Sequence, residues 1–215
     1  MPDTSPSSVP VKKKPVTPRH AASLIIVRES RGAGVELLMG VRGSKARFMP
    51  NVLVFPGGRV DPDDHKAPFA TPLREDTHTL LARKATPRLV RGLALAAARE
   101  LEEETGLTLA HAPGAPPALD GLDYLCRAVT PSYVHMRFNA RFLVTEADRV
   151  TGTLGGSGEL EKLRWYAIDD ALGHDLAGIT RDVLRNLQTY LAMSPEQRRA
   201  RAETPINQQN RWRME

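Results

Sequence analysis

Apolar runs separated by polar turns from Ser23 to Asp61 predict short β-strands. SLIIVRE, from Ser23, is apolar and β-branched and predicts a strand. SRGAG predicts a turn, and VELLMGVR, from Val35, predicts the returning strand of a hairpin. NVLVFPGGRVD predicts a third, short strand that ends in a Pro-Gly-Gly turn.

A helical period follows in TPRLVRGLALAAARELEEETG. Thr86 is suited to cap this helix, Pro87 fits its first turn, and Gly106 is suited to end it. Apolar side chains recur every three or four positions over 89–101, which predicts one buried face. Because many of them are alanines, we expect close packing against a flat surface such as a sheet.

The second half of the chain predicts three more strands and one more helix. DYLCRAVT and MRFNARFLVT read as two strands, and ELEKLRWYAI predicts another around Trp165. TGTLGGSG, which precedes that strand, predicts a flexible loop. TRDVLRNLQTYLAM, from Thr180, has the apolar spacing of an amphipathic helix.

These elements predict one domain over residues 20–193 with a tail at each end. Residues 1–19 are rich in proline, serine and lysine, which is typical of a disordered segment. Residues 194–215 are polar, and we expect a loose tail with a short helix after Ser194. Between the third strand and the long helix, residues 62–85 show no sustained period. A lid, a dimer contact and a disordered flap are all open for this segment.

Composition narrows the class of protein. With 41% hydrophobic and 26% charged residues the chain suits a soluble globular domain, and no apolar run approaches a membrane span. The first twenty residues contain no apolar block, so no secretory signal peptide is expected. Cys126 is the single cysteine, which excludes an internal disulfide and favours a core residue in a cytoplasmic protein.

The formal net charge of +5 comes largely from basic residues near the two ends. These residues form either two solvated tails or a patch for nucleic acid or phosphate. No zinc-finger or aromatic-rich RNA-binding pattern accompanies the charge, so we expect no nucleic-acid partner. We expect no membrane partner either.

The main chemical signal is a run of glutamates near the end of the long helix. Glu100, Glu103 and Glu104 stand at i, i+3 and i+4, which places three carboxylates on one helical face. Glu102 is rotated towards solvent, and Arg99 is spaced to pair with Glu103. Carboxylate oxygens suit magnesium, manganese or calcium, whereas a solvated acidic face is the ordinary alternative.

The residues around this run resemble the Nudix hydrolase family, whose box ends in Arg-Glu-aliphatic-x-Glu-Glu-x-Gly-aliphatic. RELEEETGL, residues 99–107, matches each specified position of that half. In FPGGRVDPDD, Gly58 fits the box glycine and Asp64 stands where the family has a glutamate. However, 34 residues separate Asp64 from Arg99 where the family has seven. An insertion of this kind is similar to a subgroup that includes coenzyme A diphosphatases.

The resemblance implies an α/β fold, a Nudix-type α/β/α sandwich with a mixed central β-sheet. It also implies hydrolysis of a nucleoside diphosphate linked to another moiety. Catalytic roles fall on Arg99, Glu100, Glu103 and Glu104. Mg²⁺ or Mn²⁺ would be held by Glu100, Glu103, Glu104 and the carbonyl of Gly58, with Arg99 orienting the carboxylates.

Further roles stay open at this point. The general base is Glu100 or a glutamate before Trp165, Glu159 or Glu161. Arg42, Arg137 and Arg141 are candidates for phosphate contacts, and Phe48 for stacking on a base. Coenzyme A, ADP-ribose, dinucleoside polyphosphates, sugar nucleotides and NADH remain open as substrates, and so does a homodimer. The alternative is a non-catalytic Nudix-fold nucleotide sensor or RNA-binding regulator.

Overall fold

The computed structural model describes residues 16–30, 32, 34–44, 49–112 and 114–215. Its strands are β1 (Arg19–Ser30), β2 (Gly34–Arg42), β3 (Leu53–Val54), β4 (Gly57–Arg59), β5 (Leu107–Thr108), β6 (Asp123–Val129), β7 (Phe138–Glu146), β8 (Thr151–Gly152), β9 (Leu160–Ala167), β10 (Pro205–Gln208) and β11 (Arg211–Met214). Its helices are α1 (Glu75–Ala82), α2 (Pro87–Thr105), α3 (Ile168–Gly173), α4 (Gly178–Leu191) and α5 (Pro195–Arg199). A single 3-10 turn at Asp63–His65 lies between β4 and α1.

Nine strands join one mixed sheet in the order β11-β10-β6-β7-β1-β2-β3, with β4 also paired to β1 and β9 to β2. β1 runs parallel to β7, and β10 runs parallel to β6, whereas the other pairs in this sheet are antiparallel. The predicted hairpin is confirmed, because Val27 of β1 lies opposite Leu37 of β2. The Pro-Gly-Gly segment differs from the predicted turn, since Gly57 and Gly58 pair with β1 as part of β4.

Helices cover both faces of this sheet, as alternation along β1 requires. Leu24 and Ile26 face the cluster that contains the apolar stripe of α2, whereas Ile25 and Val27 face the cluster that contains α3 and α4. Successive side chains of a strand point to opposite faces, so one strand contributes to two cores. The arrangement is the expected α/β/α sandwich.

The predicted ends of the long helix are confirmed. The Thr86 hydroxyl accepts a hydrogen bond from the Leu89 amide, and Pro87 occupies the first helical position. Gly106 ends α2 with φ +72°, in the left-handed region that favours glycine. The buried alanines, such as Ala94 and Ala97, let α2 lie close to the sheet.

The segment 62–85 is packed against the domain, not a loose flap. Its helix α1 buries Leu80 and Leu81 in the same cluster as α2. The Thr77 hydroxyl donates to the Leu122 carbonyl at 2.9 Å, and the Thr71 hydroxyl donates to Asp120 at 2.5 Å. These contacts bond the segment to the residues that directly precede β6.

The C-terminal segment corrects the expectation of a loose tail. The short helix after Ser194 is present as α5, but the chain then adds β10 and β11 to the main sheet. Arg198 and Arg201 lie over the Tyr190 ring and donate to backbone carbonyls. These two arginines therefore serve packing. Of the predicted N-terminal tail, residues 1–15 lie outside the described residues, and β1 begins at Arg19.

Within the described ranges, no helix combines the length and apolar character that crossing a bilayer would need.

Candidate active site

Two adjacent glycines bring the backbone of β4 against the acidic end of α2. A Cβ atom on Gly57 would lie 2.5 Å from the Ala22 carbonyl oxygen, and the φ of Gly57 is +152°. A Cβ on Gly58 would overlap the carboxylate of Glu100. Glycine at both positions therefore allows strand β4, strand β1 and the glutamates to meet.

Arg99 is the centre of an ion-pair network on this face of α2. Its Nε donates to Asp64 Oδ1 at 3.0 Å and its Nη2 to Asp64 Oδ2 at 3.1 Å. Nη1 donates to Glu100 Oε1 at 2.9 Å and to Glu103 Oε2 at 3.0 Å, while Nη2 also reaches the Arg59 carbonyl. These acceptors raise the pKa of Arg99, so its charge is fixed and it orients the carboxylates around it.

Glu104 is the most deeply placed of the three glutamates, with 5% of its surface exposed. One of its oxygens, Oε2, accepts a hydrogen bond from the Gly57 amide at 2.7 Å. Burial raises its pKa to about 7, and the negative charge of Glu100 adds to the rise. The pKa of Glu100 is also raised by burial, although Arg99 opposes the shift. Both carboxylates thus lack a full counter-charge.

The glutamates share one helical face but do not converge on a point. Among the described residues, no three His, Cys, Asp or Glu side chains are gathered as an ion would need. Glu100 and Glu103 accept hydrogen bonds from Arg99, whereas Glu104 accepts one from the Gly57 amide. The side chain of Glu103 is 55% exposed, so little packing holds its rotamer apart from the ion pair with Arg99.

Backbone amides of the glycine-rich loop after β8 bond the C-terminal end of α2, where the acidic residues lie. The Gly155 amide donates to the Thr105 carbonyl at 2.8 Å, and the Ser157 amide donates to the Glu103 carbonyl at 3.0 Å. These amides satisfy carbonyls that the end of a helix leaves free. A Cβ on Gly156 would overlap the Glu104 carbonyl oxygen. The sequence pattern did not predict that this loop would bond the last carbonyls of α2, although the glycines of TGTLGGSG are the residues that allow the close approach.

Of the other sequence candidates, Arg42 and Glu159 act electrostatically on the glutamates. The charge of Arg42 lowers the pKa of Glu104, whereas the charge of Glu159 raises it. The Glu159 carbonyl accepts from the Gly43 amide, directly after Arg42. Both Glu159 and Glu161 are exposed, and Glu161 lies opposite Val41 in the β2–β9 ladder.

The remaining candidates are placed differently. Arg137 donates to the carbonyls of Thr130 and Val16, and none of its described contacts reaches the glutamates. Arg141 is buried and donates to the carbonyls of Asn139 and Lys84. The guanidinium of Arg141 is therefore engaged inside the protein and is not placed for the phosphate contact predicted for it. Phe48 lies outside the described residues.

Asp64 has a clear place in this network, which spacing alone left open. It is 3% exposed, and in addition to Arg99 it accepts a hydrogen bond from the Asp61 amide at 2.7 Å. The segment 62–85 therefore does not move Asp64 away from the box helix. Arg91, eight positions before Arg99, instead donates to the carbonyls of Lys66 and Ala67 and holds the start of the inserted segment.

No family model and no curated protein sequence matches this chain. Solved structures do match it. A NUDIX hydrolase from Alicyclobacillus acidocaldarius is 26% identical, with 79% of this chain and 90% of that chain covered at a TM-score of 0.62. A MutT NUDIX hydrolase from Burkholderia pseudomallei is 22% identical, with 80% and 99% covered at a TM-score of 0.51.

A third structure, the NUDIX domain of Shewanella oneidensis NrtR in complex with ADP-ribose, is 12% identical. The match covers 82% of this chain and 90% of that chain at a TM-score of 0.53. The second and third likenesses concern the fold alone. This chain therefore shares its fold with these NUDIX proteins, and its half-box of residues 99–107 resembles the Nudix motif.

Proposed function

We propose that the protein is a metal-dependent diphosphatase that cleaves the diphosphate linkage between a nucleoside and another moiety. The observation that carries this proposal is the glutamate face of α2, where the buried Glu104 and the partly buried Glu100 meet the Gly57–Gly58 backbone beside Arg99. A purely structural helix has no need for buried acids without a full counter-charge, because their desolvation destabilises the fold.

Mg²⁺ or Mn²⁺ is the cofactor that these groups fit. Glu100, Glu103 and Glu104 would hold it, with the Gly58 carbonyl as a further oxygen donor, and hard oxygen donors suit both ions. The raised pKa values of Glu100 and Glu104 support this assignment, since a cation would supply the missing positive charge. When bound, the cation would neutralise the diphosphate and lower the pKa of a water molecule.

The chain's own residues would position the reactants. Arg99, held by Asp64, orients Glu100 and Glu103 and is engaged with protein acceptors, so it does not itself bind substrate. Arg42, whose positive charge acts on Glu104, is the candidate to bind a phosphate oxygen. Glu100, Glu159 and Glu161 are the candidates to accept the proton of the attacking water, and among them the exposed pair can move freely.

The substrate would be a small diphosphate compound of the coenzyme A or ADP-ribose kind. The test is a hydrolysis screen of coenzyme A, ADP-ribose, dinucleoside polyphosphates, sugar nucleotides and NADH, with Mg²⁺ and with Mn²⁺, resolved by product mass. Glu103→Gln and Glu104→Gln should lose turnover by two orders of magnitude or more, ~3 kcal/mol in the barrier. Glu102→Gln, on the exposed side of the same helix, is the matched control and should keep it.

Each outcome of this screen is decisive. Full activity in Glu103→Gln and Glu104→Gln would overturn the metal assignment. Failure of the folded parent protein to turn over any compound, combined with tight binding of one of them, would instead favour a nucleotide sensor. The exposed carboxylates of Glu159 and Glu161 are then tested singly as glutamines, and the base is the one whose loss removes the acidic limb of the pH profile, because a general base must be deprotonated to act.

A further inference from the structure

A cavity of about 330 Å³ lies beside the glutamate network, and half of its lining residues are arginines or histidines. It is formed between the start of β1 and the segment that follows β4. Arg19 and His20 line it from β1, and Arg59 and His65 line it from the other side. Asp61 is the single acidic residue among the lining residues of this cavity.

A buried arginine fixes the state of one imidazole in this wall. Arg141 is 1% exposed, and its Nη1 lies 3.1 Å from His20 Nδ1. Because a guanidinium can only donate, His20 Nδ1 must accept, which leaves the proton of the neutral ring on Nε2. Burial and, second to it, the positive charge of Arg141 also lower the pKa of His20. His20 therefore offers an N–H donor from its other nitrogen.

The second imidazole is fixed in the opposite way. His65 Nδ1 lies 3.0 Å from the Arg88 carbonyl oxygen, and a carbonyl can only accept. His65 Nδ1 thus carries a proton, which leaves Nε2 of the neutral ring as an acceptor.

Positive charge around the cavity is poorly compensated. Arg59 and Arg99 both lie 4.0 Å from the carboxylate of Asp61, so this acid is shared between two cations. Arg19 has no salt bridge within the part of the chain that the structure describes. Arg141 bonds two carbonyls and an imidazole, which leaves its charge without a carboxylate partner among those contacts.

We propose that this cavity binds a phosphate group, held by the guanidinium groups of Arg19 and Arg59 and by the imidazole of His20. Guanidinium groups bind phosphate with paired hydrogen bonds, and the Nε2 donor of His20 completes the set. The volume exceeds what one phosphate needs, and Val60, Pro62 and Leu89 provide an apolar wall for an attached group. The bound species is a phosphomonoester or free inorganic phosphate.

The site would communicate with the glutamate face through one short segment. The Arg59 carbonyl and the Asp64 carboxylate hold Arg99, while the side chains of Arg59 and His65 face the cavity. The Val60 amide also donates to the His20 carbonyl at 2.9 Å, which ties the two walls together. Phosphate binding would thus stabilise the segment that positions Arg99. The binding itself does not depend on the proposed hydrolysis.

The experiment is a titration of the full-length protein with inorganic phosphate in EDTA, followed by calorimetry and by ³¹P NMR. EDTA excludes binding through a cation at the glutamates, so failure here leaves the proposed hydrolysis untouched. We expect saturable binding of one phosphate per chain, weakened at least tenfold in Arg19→Gln and in Arg59→Gln. Arg83→Gln, an exposed cation outside this cavity, is the matched control and should bind phosphate as the parent does.

Equal affinity in the parent, Arg19→Gln and Arg59→Gln would overturn the proposal, and so would the absence of saturable binding. Both arginines are exposed, so their variants are expected to fold, and circular dichroism checks this. His20→Gln supplies an independent test from a residue of different chemistry and should also weaken binding.

The source of the phosphate is resolved by NADH and NADPH, which differ by one phosphomonoester. Tighter binding of NADPH in EDTA, lost in Arg19→Gln, would identify the phosphate as part of a larger ligand. Equal affinity for the two, with inorganic phosphate still bound, would identify a free anion. Both results support the site and assign its ligand.

Discussion

Arg99 and Asp64 form a two-point ion pair although they stand 35 positions apart in the sequence. The side chain of Asp64 is 4% exposed and that of Arg99 is 27% exposed, so the pair closes the inner side of the network. The inserted segment leaves and re-enters the fold between these two residues without separating them.

Replacing Asp64 by asparagine should lower the free energy of unfolding by about 1–3 kcal/mol. The variant keeps the volume but leaves a partly buried guanidinium with weaker acceptors, and breaking one side of a buried pair is costly. Asp63→Asn removes an exposed neighbouring carboxylate and should change stability by less than about 0.5 kcal/mol. Urea unfolding at pH 7 measures both, and equal effects would refute the structural role of the pair.

The two glycines of β4 should respond differently to alanine. Gly57→Ala places a methyl group 2.5 Å from a backbone oxygen at φ +152°, so we expect it to cost about 2 kcal/mol or more in stability. Gly58→Ala pushes mainly against the Glu100 carboxylate at the end of a flexible side chain. That variant should stay folded while losing much of its stabilisation by Mg²⁺.

Thermal unfolding with and without MgCl₂ separates these effects. The parent should be stabilised by the cation, because a ligand that binds only the folded state raises its stability. A Gly58→Ala protein that unfolds like Gly57→Ala and still responds fully to Mg²⁺ would contradict the assignment of Glu100 to the metal.

Local chemistry is sufficient to predict the parts of this site that lie on one element. The caps at Thr86 and Gly106 and the shared face of the three glutamates depend on residues a few positions apart. The first hairpin is equally local, since it joins β1 to β2 across a short turn.

Contacts between distant parts of the chain were not predictable in this way. The return of β10 beside β6 depends on long-range parallel pairing, and its polar residues carry no strong strand pattern. Arg141 lies on a strand where alternation makes exposure as plausible as burial, and only the packing of Lys84 and His20 around it decides. The link from Ser157 to Glu103 likewise joins residues that no short motif connects.

Glu104 should make the metal-free protein less stable as the pH rises. Its pKa is about 7 when folded against 4.5 for the free group, so the folded state binds the proton more tightly. Stability is therefore lost between pH 4.5 and 7, and the penalty is complete above the folded pKa. Glu104→Gln removes this penalty and should stabilise the protein at pH 8 by about 1–3 kcal/mol, with little effect at pH 4.

Urea unfolding in EDTA across this pH range tests the sign. Glu102→Gln, at an exposed position of the same helix, should show no such pH-dependent gain. A gain in Glu104→Gln that is as large at pH 4 as at pH 8 would show that charge at this site is not its cause. In Mg²⁺ the order should reverse, because the parent gains cation binding that the variant lacks.

The inserted helix α1 should behave as part of the core. Leu81 is 2% exposed and packs in the cluster that contains α2, so Leu81→Ala should cost about 2–5 kcal/mol. Thr79→Ala, at an exposed position of α1, is the control and should cost less than about 1 kcal/mol.

If the segment were a lid that opens freely, Leu81→Ala would change the free energy of unfolding little, because the side chains of the lid would contribute little to it. Thr77→Val adds a test that does not create a cavity, because it removes only the hydroxyl that bonds the Leu122 carbonyl. We expect it to cost about 1–2 kcal/mol, the usual effect of leaving a buried carbonyl unsatisfied. Hydrogen exchange of the α1 amides is the further measurement. If these amides exchange at the rate of the core in the parent, and faster in Leu81→Ala and Thr77→Val, then segment 62–85 unfolds together with the sheet that carries the candidate site.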